Sequence, residues 1–79
     1  MSKLPQLITT KNCPKCKLIK EYMAQRNFVY EVIEAEKNMK LCRNLGIMIA
    51  PTMLVHYEDE IEQLIGFEAI QKFVDKYDK

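Results

Sequence analysis

The 79-residue chain is short, and its composition is that of a small globular protein. Apolar residues make up 48% and charged residues 29%, proportions that exclude a disordered or low-complexity chain. The formal net charge of +1 gives no reason to expect a nucleic-acid or anionic-membrane partner.

The N-terminus and the apolar runs of the chain predict where the protein works. The N-terminus has neither the apolar segment nor the cleavage site of a secretory signal, and no apolar run reaches the ~18–20 residues that span a bilayer. We therefore expect a cytoplasmic protein with no membrane partner. At this length only ~60–65% of the unfolded chain's surface is buried on folding, so we expect one small core and a single domain over residues 1–79. We also expect a monomer.

Two strands and one helix are predicted in the first part of the chain. The β-like run 4–9 has Pro5 near its start, where the missing N–H is tolerated. Residues 14–26 form the first helix, and residues 28–33, rich in aromatic and β-branched side chains, form the second strand. The apolar positions of the helix are Leu18, Ile19, Tyr22 and Met23. A strand, a helix and a strand in this order predict a parallel pair with a right-handed crossover.

A second helix is predicted over residues 34–45. Its apolar residues recur at every third position: Met39, Cys42 and Leu45. Gly46 stands just past its end, the position where a left-handed residue commonly closes a helix. Cys42 is expected to face the core, because a free cysteine behaves as a small hydrophobe.

The last part of the chain predicts a hairpin followed by a helix. Residues 52–57 and 61–65 have the pattern of antiparallel strands joined by the solvated turn 58–60. His56 is expected at an exposed or half-buried strand position without a catalytic role. Gly66 breaks the second strand, and a third helix is expected to run to the C-terminus. Its apolar stripe is Ile70, Phe73, Val74 and Tyr77.

The predicted order βαβαββα defines an α/β fold with a four-stranded mixed sheet. Helices are expected on both faces of the sheet, and the expected strand order is 2-1-3-4. Open α/β sheets generally hold their sites at the carboxyl ends of strands. Because two cysteines follow the first strand, this edge of the sheet is the candidate site.

The stretch Cys13-Pro14-Lys15-Cys16 carries the chemistry that the sequence predicts. Pro14 suits the first position of a helix, where its missing N–H costs nothing, so Cys13 is expected at or beside the N-cap. The open amides there, the helix dipole and the lysines nearby all favour a thiolate. Cys13 is therefore the predicted nucleophile. Cys16 lies one helical turn later on the same side, where it can resolve a mixed disulfide.

Two other interpretations of the cysteine pair stay open. A Cys-x-x-Cys pair is half of a zinc site, but a complete site needs two more ligands. The candidates are Cys42 and His56, which do not form a second paired cluster, so we expect no metal. A static disulfide is the other interpretation, although the chain has three cysteines, an odd number.

The cysteine pair, Pro51 before the hairpin and Gly66 before the last helix together resemble the glutaredoxin branch of the thioredoxin superfamily. The resemblance covers nearly the whole chain. It implies a thioredoxin/glutaredoxin-like fold, a cis peptide bond before Pro51 that turns the Ala50 backbone toward Cys13, and thiol–disulfide oxidoreductase activity. The substrate-binding residues that it implies are Lys11, Pro14, Lys15, Ala50, Pro51, Thr52, Gly66, Phe67 and Glu68.

Three positions depart from the pattern of glutaredoxins that bind glutathione. Thr10 stands where a basic residue is common, with Lys11 one place later. Lys15 replaces the usual aromatic residue between the cysteines. Phe67 follows Gly66 where the family often has a second glycine, an arrangement similar to small redoxins that donate electrons to ribonucleotide reductase. The departures predict poor use of glutathione.

The sequence thus predicts an enzyme that reduces protein disulfides through Cys13 and Cys16. It is expected to hold no tightly bound cofactor and to draw its electrons from a reductase. A glutathione-dependent glutaredoxin, with glutathione as co-substrate, is the alternative. A zinc-stabilised or thioredoxin-like binding module is the alternative outside the enzymes, although such a module has no need of both thiols.

Overall fold

The structure is a computed structural model that describes the backbone of residues 4–77 and the side chains up to residue 76. Four strands and three α-helices follow one another in the predicted order. They are β1 (Gln6–Thr9), α1 (Pro14–Gln25), β2 (Glu31–Glu34), α2 (Met39–Leu45), β3 (Thr52–His56), β4 (Ile61–Ile65) and α3 (Phe67–Tyr77), with a 3₁₀ turn (Ala35–Lys37) between β2 and α2. The side chain of Tyr77, predicted on the apolar stripe of the third helix, lies outside the described part. So do residues 78–79, which were predicted to be helical.

The four strands form one mixed sheet in the order β2-β1-β3-β4, as predicted. β1 pairs with β2 in parallel and with β3 in antiparallel orientation, and β3 and β4 form the antiparallel hairpin. This is the thioredoxin-like fold. The pairing brings the end of β1 beside the start of β3, since Ile8 is the partner of Thr52.

The core lies on both faces of the sheet because successive strand residues point to opposite sides. Leu7 and Met53 join α1 and α3 in one cluster, completed by Ile19, Met23, Val55, Ile70 and Val74. Ile8 and Leu54 face the other way and pack with Cys42 of α2. The predicted burial of Cys42 is therefore confirmed.

The predicted start of the second strand was wrong by three residues. β2 begins at Glu31 instead of residue 28. Asn27 adopts a left-handed backbone with φ 56°, and the Phe28 N–H still bonds to the Met23 carbonyl at 3.0 Å. The aromatic residues that suggested a strand instead pack against the core beside α1. Their side chains are therefore packed against the core at positions that precede the first residue of β2.

The predicted second helix is divided into the 3₁₀ turn and the short helix α2. Asn38 divides them, with φ −135° and ψ 42°, and its side-chain amide donates to the Glu34 carbonyl at 3.0 Å. Asparagine side chains compete in this way for backbone groups and favour helix ends over helix interiors. Met39 is largely exposed. Gly46 closes α2 in the left-handed conformation, as predicted.

The hairpin and its turn follow the prediction closely. The Tyr57 N–H bonds to the Glu60 carbonyl at 2.9 Å across an exposed turn. His56 is half-buried at the end of β3, with its Nε2 2.7 Å from the Gln6 Oε1.

Within the described residues, no helix is both long and apolar enough to cross a membrane.

Candidate active site

The junction between β1 and α1 places Cys13 at the start of a helix. Cys13 is the N-cap residue, in an extended conformation with φ −127°, and Pro14 occupies the first helical turn as predicted. The Cys13 Sγ accepts a hydrogen bond from the Cys16 backbone N–H at 3.1 Å. A sulfur in this position faces the positive end of the helix dipole, which favours negative charge on it.

A disulfide joins Cys13 and Cys16, whose Cα atoms lie 5.2 Å apart. The two sulfurs differ in access to solvent: Cys13 is partly exposed, whereas Cys16 is only 2% exposed. An incoming disulfide therefore meets Cys13 first. Cys16 is shielded on the core side of the helix, which suits a thiol that acts only inside the molecule.

The loop before β3 lies at the same edge of the sheet as the carboxyl end of β1, because Thr52 is the partner of Ile8. The Ala50–Pro51 peptide bond is cis, as the resemblance implied. Pro51 is buried, and its carbonyl accepts the Gly66 N–H at 2.9 Å, which ties this loop to the start of α3. Thr52, predicted to contact substrate, is 1% exposed, and its hydroxyl donates to the Ile49 carbonyl. The Thr52 side chain therefore holds the loop and is not open to a substrate.

A shallow groove brings together several predicted residues from α1 and α3. Lys15 lies on one side, and Gly66, Phe67 and Glu68 lie on the other. Phe67 is only partly exposed, because its ring packs toward the core with its centre 6.4 Å from that of Tyr22. The predicted aromatic contact surface is thus the accessible part of a ring that also supports the fold.

Exposed apolar side chains beside this groove were missed from the sequence. Leu18, one of the apolar positions predicted for the first helix, is 54% exposed and lines the groove together with Ile65, which is 53% exposed. Ile65 also lines a second hollow with the loop residues Met48 and Ile49, of which Met48 is 93% exposed. The signal in the sequence was the run Ile47-Met48-Ile49, which is apolar but lies in no predicted strand or helix.

A carboxylate on the other side of the dithiol was also missed. The Lys11 backbone N–H donates to the Glu36 Oε2 at 2.9 Å, and this bond is the largest cause that lowers the pKa of Glu36 below 4.5. Both side chains are exposed. Glu36 belongs to the 3₁₀ turn that the sequence merged into the second helix, so no pattern along the chain pointed to it.

The geometry around the remaining zinc candidates differs from that of a metal site. Within residues 4–77, no three His, Cys, Asp or Glu side chains cluster in a way that could hold a metal ion. Cys42 is buried in the core beneath α2. His56 lies at the carboxyl end of β3. The carboxyl end of β1, which leads to Cys13, adjoins the other end of β3.

Comparison with known proteins gives a consistent result. No protein-family model matches the chain. It is 25% identical over 59 residues to the SPbeta prophage-derived thioredoxin-like protein YosR of Bacillus subtilis (strain 168), across 72% of this chain and 74% of that protein.

Solved structures extend the likeness to nearly the whole chain. The oxidised thioredoxin from Plasmodium falciparum superposes with a TM-score of 0.73 at 17% identity, covering 95% of this chain and 80% of that one. A mutant of the thioredoxin-like protein BC3987 has a TM-score of 0.63 at 21% identity, covering 86% and 95%. The chain thus has the thioredoxin-like fold, and its Cys13–Cys16 pair together with the thioredoxin-like relative supports thiol–disulfide oxidoreductase activity.

Proposed function

We propose that the protein reduces disulfide bonds in other proteins, in the cytoplasm, through Cys13 and Cys16. The observation that carries the proposal is the unequal exposure of two bonded cysteines at a helix start. In the reduced protein the Cys13 thiolate attacks one sulfur of the substrate disulfide. A Cys13–substrate disulfide forms, and the other substrate sulfur leaves as a thiolate.

The second step takes place inside the molecule. The Cys16 thiolate attacks the Cys13 sulfur, the Cys13–substrate bond breaks, and the second substrate thiolate leaves. Two electrons have passed from the dithiol to the substrate, and the protein now holds the Cys13–Cys16 disulfide. The short Cα separation of 5.2 Å allows this bond to form without moving the helix.

The surface around Cys13 favours a protein substrate over a small polar thiol. Leu18 and Ile65 expose about half of their surface beside the groove, and Met48 is almost fully exposed on the neighbouring loop. An exposed apolar patch rimmed by polar residues is characteristic of sites that bind other proteins. Glutathione, a charged tripeptide, gains little from such a surface.

The electron donor in this proposal is a flavoprotein thioredoxin reductase or a comparable enzyme. Such an enzyme is itself a protein with a reactive dithiol, so it can use the same apolar surface as the substrate. Ribonucleotide reductase is one disulfide-bearing target of this class. No tightly bound cofactor or metal enters the reaction.

A glutathione-dependent glutaredoxin is the second candidate, and one observation favours it. The groove places the Lys15 side chain opposite Gly66 and Glu68, so that a cation and the polar start of a helix both face it. These groups suit the two charged ends of a tripeptide. The Phe67 ring between them and the apolar rim count against a tight fit.

Turnover with two donor systems tests the proposal. The oxidised protein is supplied with NADPH and thioredoxin reductase, or with millimolar glutathione, glutathione reductase and NADPH, and reduction of a protein disulfide such as that of insulin is followed. We expect turnover with thioredoxin reductase and at most slow turnover with glutathione. Efficient turnover with glutathione alone would select the glutaredoxin alternative. Reduction in neither system, with Cys13 unreactive to alkylation, would favour a binding module.

A further inference from the structure

The contact between Lys11 and Glu36 continues the pairing of two parallel strands. Each residue of β1 is the partner of the residue 25 positions later in β2, from Gln6 with Glu31 to Thr9 with Glu34. Lys11 and Glu36 are separated by the same 25 positions. The two chains therefore leave the sheet side by side, and a side chain of one bonds to the backbone of the other.

The segment that carries Glu36 is held from several directions. Ala35 packs against the cluster beneath α2. The Asn38 side chain donates to the Glu34 carbonyl at 3.0 Å, and Lys37 forms an ion pair with Glu34 at 3.5 Å. The Glu36 carboxylate thus extends from a fixed turn toward the loop that leads into Cys13.

The carboxylate is negatively charged when it occupies this position. The Lys11 backbone bond lowers the pKa of Glu36 most strongly, and the Glu36 backbone N–H lowers it further; desolvation opposes them, and the charge of Lys11 adds the smallest lowering effect. Lys11 is only two residues from Cys13, and two residues span at most ~7 Å. The negative charge therefore lies on the order of one Debye length from the reactive sulfur in physiological salt.

We propose that Glu36 is a positioning and specificity-determining residue of this site. Its carboxylate fixes the Lys11 backbone, and with it the loop that presents Cys13. It also places a negative charge beside Lys11, so that a free carboxylate of a small thiol such as glutathione meets a like charge there. The specificity part of this inference rests on the proposed function.

Two substitutions separate the two effects. Glu36→Gln keeps an oxygen that can accept the Lys11 N–H and removes the charge, whereas Glu36→Ala removes both. The control is Glu58→Gln, which changes the net charge by the same amount in the exposed turn at the far end of the hairpin. Circular dichroism checks that each variant folds.

The first readout is alkylation of Cys13 in the fully reduced protein. Neutral iodoacetamide and anionic iodoacetate attack the same sulfur, so their rate ratio reports the local charge independently of any electron donor. We expect Glu36→Gln to raise the iodoacetate to iodoacetamide ratio by up to about twofold at low ionic strength, the effect of one exposed unit charge at ~10 Å in water. The gain should shrink in 1 M salt, where the Debye length is ~3 Å. At a pH at which the Cys13 thiol is fully ionised, loss of the Glu36 charge does not change the thiolate fraction, so the iodoacetamide rate should remain that of the wild type in Glu36→Gln and change in Glu36→Ala.

The second readout is reduction of the Cys13–Cys16 disulfide by glutathione. Glu36→Gln should accelerate it by a similar factor, while reduction by uncharged dithiothreitol stays constant. A ratio in Glu36→Gln equal to that in Glu58→Gln would overturn the specificity role. Equal iodoacetamide rates in folded Glu36→Ala and Glu36→Gln would overturn the positioning role. Fast use of glutathione by the wild type would instead count against the proposed function, and the alkylation ratio would still be decisive for Glu36.

Discussion

Replacing Leu18 and Ile65 with polar residues tests whether the apolar rim of the groove recognises protein substrates. Leu18→Gln keeps a good helix former in α1, and Ile65→Thr keeps a β-branched residue in β4. Both side chains are about half exposed in the free protein, so each substitution removes apolar surface that only a docked partner covers. Stability of the folded chain should change little.

The expected loss follows from the surface that remains to be buried. Complete burial of a Leu or Ile side chain contributes roughly 1.5–3 kcal/mol, so burying the exposed half of each contributes about 0.8–1.5 kcal/mol. At about 1.4 kcal/mol per factor of ten, each substitution should weaken productive binding roughly four- to twelvefold. The double variant should lose roughly 15- to 140-fold if the two contacts are independent.

The assay compares two substrates with one dithiol. With reductant in excess, kcat/KM for a protein disulfide should fall in the variants, while the rate with a small aromatic disulfide should stay within about a factor of two because the Cys13 chemistry is unchanged. Ile61→Thr is the matched control, since it is the same substitution at an exposed position of the same strand, at the end far from the dithiol. Equal losses in Ile61→Thr and Ile65→Thr, or unchanged kcat/KM in the double variant, would refute the role of this rim.

Three further predictions follow from the site and its support. In the reduced protein at pH 6, iodoacetamide should label Cys13 much faster than Cys16 or Cys42, because Cys13 is the accessible thiol at the helix start. Peptide mapping by mass spectrometry measures the three labelling rates, and equal rates would contradict the prediction. Cys16→Ser should accumulate a mixed disulfide on Cys13 visible on a non-reducing gel, whereas Cys42→Ser should keep turnover close to that of the wild type. Tyr22 donates a hydrogen bond to Asp75, and this bond is the largest cause that raises the pKa of Tyr22 above 10.0. The bond therefore stabilises the folded protein fully below pH 10, and this stabilisation is lost as pH rises through the raised pKa. Tyr22→Phe should therefore have a lower Tm than the wild type at pH 8, with a gap that narrows above pH 10; a gap independent of pH would show that the bond does not contribute.

Local sequence patterns correctly predicted those helices, strands and turns in which each residue has a single structural role. The hairpin alternates around a charged turn, and Gly46 and Gly66 adopt the positive φ values that favour glycine, 70° and 93°. The predictions were wrong where the side chain of a residue has a role different from the one that the surrounding sequence pattern indicates. Phe28 is of a residue type typical of strands but packs against the core, while its backbone N–H bonds to a carbonyl at the end of α1. Asn38 stands within a helical pattern, yet its side chain captures a backbone carbonyl and divides the helix.

The candidate site divides in the same way. Cys13, Pro14 and Cys16 were found from the sequence because their chemistry depends on neighbours within one helical turn, which the printed order of residues already contains. Leu18 was grouped with Ile19 and Met23 because apolar spacing cannot distinguish a side chain that faces the protein from one at the edge of that face. Its exposure depends on where α3 and the end of β4 lie beside α1.

The pair Lys11 and Glu36 shows what additional information would have been enough. Their contact requires the register of two parallel strands that are 25 residues apart, and hydrophobic patterning fixes such a register only up to shifts that keep the same face inward. A shift of two residues along β2 would keep the same face of the strand inward but would place Asn38 or Glu34 beside Lys11. The charge next to the reactive sulfur is therefore decided by strand register, a property of the folded sheet, while the sulfur itself is decided by local sequence. Substrate choice can consequently change through residues such as Glu36 without any change in the dithiol motif.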